Sequence, residues 1–221
     1  MTTIAIVGAG PGLGTAIARR FGAEGFAIAL ISRNQVKLDR LAGDLTADGF
    51  TARGYAADVR DTDALSAALD AAAADLGTIE VLEYSPLPQG DFLKPVLETT
   101  VEDLTSATQF SVLGPVAAVH QVLDGMRALG HGTVLFVNGS SAVRPNPTYA
   151  GTSIAFAAES AFAQMLNVAL ADDNIHVGQL IIPGAIEPGH PTNDPAVLAG
   201  LLWDHHTARD TFRVFAEELR D

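Results

Sequence analysis

The chain has 221 residues, 48% of them hydrophobic and 18% charged, which suits one domain with a large core and excludes a disordered protein. Its formal net charge of −13 disfavours nucleic acid and anionic membranes as partners, because like charges repel. The absence of cysteine excludes disulfides and zinc–thiolate sites and fits a cytoplasmic protein. No apolar run is long enough to span a bilayer, and no basic segment precedes the first one, so we expect neither a membrane anchor nor a signal peptide.

The first strand, turn and helix carry the clearest pattern. An apolar run at 4–7 leads into a glycine-rich turn and then into a helical pattern. Glycine permits positive φ and close backbone approach to a bound group, and the free N–H groups of a helix N-terminus attract an anion such as a pyrophosphate. In this context the pattern favours a dinucleotide-binding turn over a purely structural one. The candidate contacts are Gly8, Gly10, Gly12, Leu13 and Gly14.

Strands and helices alternate along the rest of the chain. Further strands are predicted at 26–31, 51–56, 79–84, 133–137 and 175–182. Helices are predicted at 34–47, from Asp61, at 100–128, at 148–171, and as two short segments at 195–202 and 205–219. This alternation predicts an α/β fold, a Rossmann-type doubly wound parallel sheet of about six strands with helices on both faces, forming one domain over 1–221.

Other residues follow the strands in a recognisable order. Asp58 follows the third strand, Ser140 and Ser141 follow the fifth, Tyr149 opens the next helix, and Pro183-Gly184 follows the sixth. Together with the glycine turn, they resemble the short-chain dehydrogenase/reductase family over nearly the whole chain. The family usually has a seventh strand, but the last segments read as helices. We therefore expect this strand to be absent and the substrate lobe, at about 186–221, to be reduced.

The cofactor expected from this resemblance is a nicotinamide dinucleotide. The second strand ends in Ser32 and Arg33, without the carboxylate that usually binds the ribose 2′-hydroxyl of NAD. Arg33 can instead clamp a 2′-phosphate, so NADP(H) is predicted as the preferred cofactor and NAD(H) as the alternative; Arg33 as a solvated surface residue is the other interpretation. The resemblance also predicts that Pro183 and Gly184 contact the cofactor.

Two further positions bear on the cofactor. Asp58 matches the family aspartate that contacts the adenine, although a turn or cap residue would fit equally well. After the fourth strand, the usual Asn-Asn-Ala-Gly is replaced by Tyr84-Ser85-Pro86-Leu87. The adenosine end of the predicted site is therefore intact, and its middle part is altered.

The catalytic pattern is incomplete. In the family a tyrosine acts as general acid/base, and a lysine four residues later lowers its pKa and holds the nicotinamide ribose. Tyr149 matches the tyrosine, but Ser153 occupies the lysine position. Helical spacing places the two on one face, yet serine supplies no charge, and a phenol needs a nearby cation to titrate toward neutrality. We therefore expect slow turnover at neutral pH, with Tyr149, Ser140, Ser141 and Ser153 as the candidate catalytic residues.

The remaining members of the family's site are also changed. The asparagine that supports proton relay is matched by Ser111, and the threonine that meets the nicotinamide amide by Pro188. Arg144 could supply a replacement cation, although it is more typical of a surface residue. His190 lies in the loop that would cover a substrate. No His, Asp or Glu grouping has metal-ligand spacing, so no metal site is predicted.

Two functions fit this pattern. The first is an NADP(H)-dependent oxidoreductase acting on a small carbonyl or alcohol through an atypical active site. The second is a non-catalytic NADP(H)-binding sensor or partner protein on the same fold. A homodimer or homotetramer is expected through the helices at 100–128 and 148–171, whose small residues permit close approach and whose Phe156, Phe162 and Leu166 would add apolar surface.

Overall fold

Within residues 2–88 and 90–219, which the computed structural model describes, seven strands form one parallel sheet. The strands are β1 (Thr3–Val7), β2 (Ala27–Ser32), β3 (Ala52–Ala56), β4 (Ile79–Tyr84), β5 (Gly132–Gly139), β6 (Ile175–Ile182) and β7 (Arg213–Phe215). The helices are α1 (Leu13–Gly22), α2 (Gln35–Ala47), α3 (Thr62–Leu76), α4 (Val101–Thr108), α5 (Gly114–Leu129), α6 (Ala150–Ala169) and α7 (Pro195–Ala208). Two 3₁₀ turns lie at Gly90–Phe92 and Ser140–Ala142.

The strand order is β3-β2-β1-β4-β5-β6-β7, and every neighbouring pair is parallel. Alternate residues of β1 serve two cores: Ile4 and Ile6 pack with α1, α2 and α7, whereas Ala5 and Val7 pack with α3, α5 and α6. Because helices cover both faces, the central strands are apolar without interruption. The predicted doubly wound parallel sheet is therefore confirmed, with one strand more than the expected six.

The C-terminal prediction is wrong in two respects. Instead of two short helices, α7 runs unbroken from Pro195 to Ala208, and Arg209 ends it with a positive φ of 54°. The segment predicted as helix then forms β7, which pairs with β6 from Gln179 to Ile181. A three-residue strand shows almost no periodicity in sequence. Its position is held by Arg213, whose guanidinium donates to Gln179 Oε1 at 2.8 Å and to Ser160 Oγ at 2.8 Å.

The long helix predicted at 100–128 is interrupted. A π-helical turn at Gln109–Leu113 separates α4 from α5. Pro115 lies at the start of α5 and has no N–H to give to the carbonyl four residues earlier, which favours a local change of hydrogen-bond pattern. This turn directs both Phe110 and Ser111 into the interior, where they are 5% and 2% exposed.

The surface of α6 differs in detail from the expectation. Phe156 is buried against Ala142 and Ile181 rather than left on the outside. The exposed apolar side chains on this helix are instead Ile154, Met165 and Val168. Among the described residues, no helix is both long and apolar enough to cross a bilayer.

Candidate cofactor and active site

The glycine-rich turn between β1 and α1 is held tightly by its own backbone. Gly8 has φ of +103°, and a Cβ there would lie 2.6 Å from the backbone nitrogen of Pro86. The Thr15 hydroxyl donates to the Gly10 carbonyl at 2.9 Å and closes the turn. At the helix start, Gly12 makes no side-chain cap, so the first N–H groups of α1 keep the character of an anion site.

A cavity of about 840 Å³, called the first cavity below, opens beside this turn. Five of the predicted cofactor residues line it, namely Gly8, Gly10, Ser32, Arg33 and Asp58. The lining thus comes from the ends of three neighbouring strands, where open α/β sheets bind ligands. Gly12, Leu13 and Gly14 are not part of this lining; Gly14 has a packing role, since a Cβ there would lie 3.0 Å from Ala9 Cα.

Opposite charges face each other in the first cavity. Partial burial raises the pKa of the Asp58 carboxyl, but hydrogen bonds from Arg60 and the charge of Arg33 outweigh it and hold that pKa below its usual value. The backbone N–H of Arg60 donates to Asp58 Oδ1 at 3.0 Å, and its guanidinium does so at 3.2 Å. Asp58 is therefore an ionised acceptor, fixed in place beside an arginine.

Lys37 and Arg40 also line the first cavity, and the sequence analysis missed both. They lie on the first turns of α2, which Asn34 caps by accepting from the N–H of Lys37 at 3.0 Å. With Arg33 they give this end of the cavity three cations and a helix N-terminus. Lys37 and Arg40 are three residues apart and share one face of α2, which the sequence could have shown; Asp44, four residues after Arg40, adds a carboxylate to the same lining.

The end of β4 forms the wall between the two halves of the cleft. Tyr84 is buried, and its hydroxyl donates to the Phe110 carbonyl at 2.6 Å. Pro86 packs on Gly8. Beneath this wall lies Glu83, which is fully buried and has no well-formed hydrogen bond to either carboxyl oxygen within the described residues. Burial raises the pKa of Glu83 to about 8, against a smaller lowering by Ser85.

A second cavity, of about 380 Å³, lies at the carboxyl ends of β5 and β6. Four residues singled out separately in the sequence line it together: Ser140, Arg144, Pro183 and His190. Ser141 and the exposed Gly184 are outside this lining, although Gly184 does take the positive φ of 80° that its position in the turn requires. The remaining lining comes from Glu217, Glu218 and Leu219, which follow β7.

Neither Tyr149 nor Ser153 lines either of these cavities. Helix α6 begins only at Ala150, so Tyr149 is its cap residue, with φ of −131° and a side chain 44% exposed. The hydroxyl of Ser153 donates to the Asn146 carbonyl at 3.1 Å and accepts from the Asn146 N–H at 2.9 Å. Ser153 thus ties the preceding loop to α6.

A buried polar network lies beneath the second cavity. Asn138 Nδ2 donates to Glu159 Oε1 at 3.0 Å, and Gln179 Nε2 donates to Asn138 Oδ1 at 2.8 Å. Burial raises the pKa of Glu159 to about 8, while hydrogen bonds with Asn138 and Ser111 lower it in part. Ser111, predicted at the relay position, therefore contacts a carboxyl whose pKa burial raises.

The loop after β6 is held by residues that the sequence analysis did not identify. Asn193 is 2% exposed, and its amide donates to the Pro183 carbonyl at 2.6 Å and to the Ala185 carbonyl at 3.2 Å. An asparagine in a Gly- and Pro-rich loop indicates a turn residue, but its burial is not visible in the sequence. The Thr192 hydroxyl donates to Glu217 Oε2 at 3.2 Å, which links this loop to the segment after β7.

Within residues 2–88 and 90–219, no cluster of three or more metal-ligating side chains is found. The cavities instead offer backbone N–H groups, hydroxyls, basic side chains and one imidazole. The chemical character of the larger one, a glycine cradle beside a basic helix face, fits a phosphorylated dinucleotide.

Comparison with known proteins agrees with this geometry. The profile of the short chain dehydrogenase family matches residues 2–195. A curated relative, the 2,3-dihydro-2,3-dihydroxybenzoate dehydrogenase of Bacillus subtilis (strain 168), is 29% identical over 184 residues, covering 82% of this chain and 69% of that protein. The chain spans about 62% of the length of an uncharacterised oxidoreductase of Mycobacterium tuberculosis (strain ATCC 25618 / H37Rv), with 26% identity.

Solved structures are similar over the whole chain. A short-chain dehydrogenase from Rhodopseudomonas palustris is 28% identical, with a TM-score of 0.86 and 99% of each chain covered. The L-sorbose reductase of Gluconobacter frateurii, solved with NADPH and L-sorbose, has a TM-score of 0.89 at 20% identity, covering 100% of this chain and 97% of its own; at that identity the likeness concerns the fold alone.

Proposed function

Since the chain belongs to the short-chain dehydrogenase family, we propose that it is an NADP(H)-dependent oxidoreductase that interconverts a small polar carbonyl compound and its alcohol. The observation that carries this proposal is the first cavity, where the glycine turn, Arg33 and Asp58 meet. A dinucleotide would lie with its pyrophosphate at the start of α1 and its adenosine end between β2 and β3.

Different residues of the chain would bind different parts of the cofactor. Arg33 and Lys37 would face the 2′-phosphate, and Asp58 would accept from the adenine amine. A bound nicotinamide would supply or take up the hydride, as it does in this class of enzyme. The second cavity would hold the substrate, and its lining of hydroxyl, imidazole, guanidinium and carboxylate groups favours a polar molecule.

The preference for NADPH can be tested by calorimetric titration with NADPH and NADH. We expect NADPH to bind about tenfold or more tightly, because one charge-assisted hydrogen bond contributes roughly 1.5–3 kcal/mol. Arg33→Ala should remove most of the preference, and Lys37→Ala a smaller part. Arg53→Ala is the matched control, since Arg53 is an exposed arginine paired with Asp75 at 2.6 Å and does not line the first cavity. Equal affinities of the wild type for the two cofactors would refute the proposal.

A non-catalytic NADP(H)-binding protein is the second candidate. It is favoured by one observation, that Tyr149 is exposed and Ser153 is bound to Asn146, so α6 presents no tyrosine–lysine pair to the second cavity. Tight NADPH binding without turnover across a panel of polar ketones and aldehydes would favour this candidate. Turnover of any of them would favour the enzyme.

We further propose that the protein is a homodimer or homotetramer assembled through α5 and α6. The exposed apolar residues Ile154, Met165 and Val168 support this, because burial in an interface would remove them from water. Light scattering of the wild type at micromolar concentration should give at least twice the monomer mass. The double variant Met165→Asp/Val168→Asp should give a monomer, and Val36→Asp, on the exposed surface of α2, should not. A monomeric wild type would contradict this proposal.

A further inference from the structure

The second cavity contains a histidine with a defined hydrogen-bonding role. His190 Nδ1 lies 3.0 Å from the backbone nitrogen of Asn193 and 3.3 Å from that of Thr192. Backbone N–H groups can only donate, so Nδ1 must accept. A neutral imidazole carries one proton. That proton is therefore on Nε2, which makes Nε2–H a hydrogen-bond donor.

The neighbours of His190 indicate what this donor could meet. It lines the second cavity with Ser140, whose hydroxyl is a second donor, and with Pro183. Neither Tyr149 nor Ser153 belongs to this lining. Among the described lining residues, the neutral donors are thus one hydroxyl and one imidazole N–H.

We propose that His190 Nε2–H and the Ser140 hydroxyl together hold the carbonyl oxygen of the substrate, with His190 as a catalytic hydrogen-bond donor in place of the missing tyrosine–lysine pair. This inference rests on the proposed oxidoreductase function. In the reducing direction, the carbonyl carbon would gain a hydride from bound NADPH, so that a C–H bond of the reduced nicotinamide breaks as the new C–H bond of the substrate forms. The π electrons of the carbonyl move to its oxygen, which becomes an alkoxide.

Both donors line the second cavity, so a carbonyl oxygen bound there would be stabilised by them as negative charge develops on it. The alkoxide then takes a proton from solvent water, and hydroxide is released. His190 keeps its own proton throughout, because loss of the Nε2 proton would leave an imidazolate. The acceptor role of Nδ1 toward the loop backbone is what fixes the ring for this task.

The structure around His190 favours a fixed orientation. The same loop is clamped by Asn193 through the Pro183 carbonyl. Glu217 approaches from the segment after β7 and accepts from the Thr192 hydroxyl. A ring held by its own loop on one side and open to a cavity on the other is pre-organised as a donor.

The first test is nuclear magnetic resonance of protein labelled with ¹⁵N-histidine at neutral pH. We expect His190 to show an unprotonated Nδ1 and a protonated Nε2. Dihydroxyacetone and hydroxyacetone, each added to the protein saturated with NADP⁺, should shift the His190 ring signals and leave those of His120, an exposed residue of α5, unchanged. A proton on Nδ1, or no response of His190 to either ketone, would overturn the inference.

The second test uses variants and NADPH-dependent reduction of the same ketones. His190→Asn keeps an acceptor near the loop N–H groups and removes the Nε2 donor, so kcat should fall about 100-fold, as for loss of one oxyanion donor. His190→Gln keeps a donor near the Nε2 position and should recover part of this loss. His120→Asn is the control. NADPH affinity should be the same in all of them, and an unchanged kcat in His190→Asn would overturn the inference.

The two proposals fail in different ways. If calorimetry detects no NADPH binding, the proposed function is wrong whatever the state of His190. If NADPH binds and His190 shows the wrong tautomer or no response to ketones, only the role of His190 is wrong.

Discussion

The first and second cavities are built from different kinds of sequence. Most of the first is supplied by a continuous stretch, 8–59, in which three strands end beside one another. The second combines three distant segments, 140–144, 183–190 and 217–219. The first retains the elements expected for binding a dinucleotide, whereas the second lacks the usual catalytic pair. Local strand–turn–helix units thus preserve a binding site, while a site assembled from distant loops is free to change its chemistry.

The contact between Gly8 and Pro86, where the glycine turn meets the end of β4, is the place where a single substitution should reduce stability most. Gly8→Ala would put a Cβ 2.6 Å from the backbone of Pro86 at a φ of +103°. Left-handed backbone and overpacking each cost about 1–3 kcal/mol, so we expect a loss of about 3 kcal/mol in the free energy of unfolding. Urea denaturation measures this. Gly43→Ala, within α2, should change stability by no more than about 1 kcal/mol, because nothing lies within 4 Å of a Cβ built there; an equal loss in both variants would show that the contact with Pro86 is not a constraint.

Two buried glutamates, Glu83 on β4 and Glu159 on α6, should change stability in opposite directions when each is replaced by leucine. Glu83→Leu removes a carboxyl without a well-formed partner and should stabilise the protein by about 2 kcal/mol at pH 8. Glu159→Leu removes the acceptor of the buried Asn138 Nδ2 and the carboxyl that Ser111 contacts, and should destabilise the protein by about 2 kcal/mol. Thermal unfolding of both variants measures this, and a shift in the same direction would contradict the assignment of partners.

The raised pKa of Glu83 determines how its contribution to stability changes with pH. Its pKa is about 8 in the folded state and 4.5 ordinarily, so the folded state holds a proton that the unfolded state releases. The contribution of Glu83 to stability is therefore present at about pH 4.5 and is lost as pH rises to about 8. The gain from Glu83→Leu should accordingly be larger at pH 8 than at pH 5.

Acid should weaken the packing between β6 and α7 before it weakens the packing of α1. Burial, together with the charges of His205, Arg209 and His206, lowers the pKa of His176 to about 4, and Asp210 opposes them only weakly. His176 packs against His205 of α7, with ring centroids 5.1 Å apart, and α7 follows the loop that carries His190.

The folded state excludes a proton that the unfolded histidine binds below 6.5, so the contribution of His176 to stability is complete above pH 6.5 and is lost as pH falls toward 4. Glu83 and Glu159 act in the opposite direction over this range, so the His176 contribution, no more than about 2 kcal/mol between pH 7 and pH 5, is measured as the difference between the wild type and His176→Gln. Hydrogen exchange should accelerate in α7 before it does in α1. His176→Gln should reduce this acid sensitivity, and an unchanged profile would exclude His176 as its source.

Sequence reasoning predicted the parts of the molecule that depend on local pattern. The strand–turn–helix units gave the sheet, the glycine turn and the placement of Arg33 and Asp58, because each lies directly after a strand. The pairing of Tyr149 with Ser153 was inferred from helical spacing. Tyr149 lies just before the helix, in a loop containing Pro145 and Pro147, so periodicity does not describe its direction.

The second cavity could not be predicted because it depends on β7. The three residues of that strand are recognisable only through the partners of Arg213 on β6 and α6. Once β7 is read as helix, Glu217 is placed on a helix surface instead of beside His190. Tertiary hydrogen bonds thus decided both the fold of this segment and the composition of the site.

The π-helical turn at Gln109–Leu113 affects how α4 and α5 are rotated relative to each other about the helix axis. An α-helix turns by about 100° per residue, so inserting one residue would rotate all following side chains by that angle. A π-helical turn accommodates the additional residue, so the helix after it keeps its orientation. Here Phe110 reaches the first cavity while the adjacent Ser111 reaches Glu159. Deleting one residue from this turn would leave α4 in place and rotate α5 away from the sheet. The segment therefore fixes the angle between Phe110, which lines the first cavity, and Ser111, which contacts Glu159.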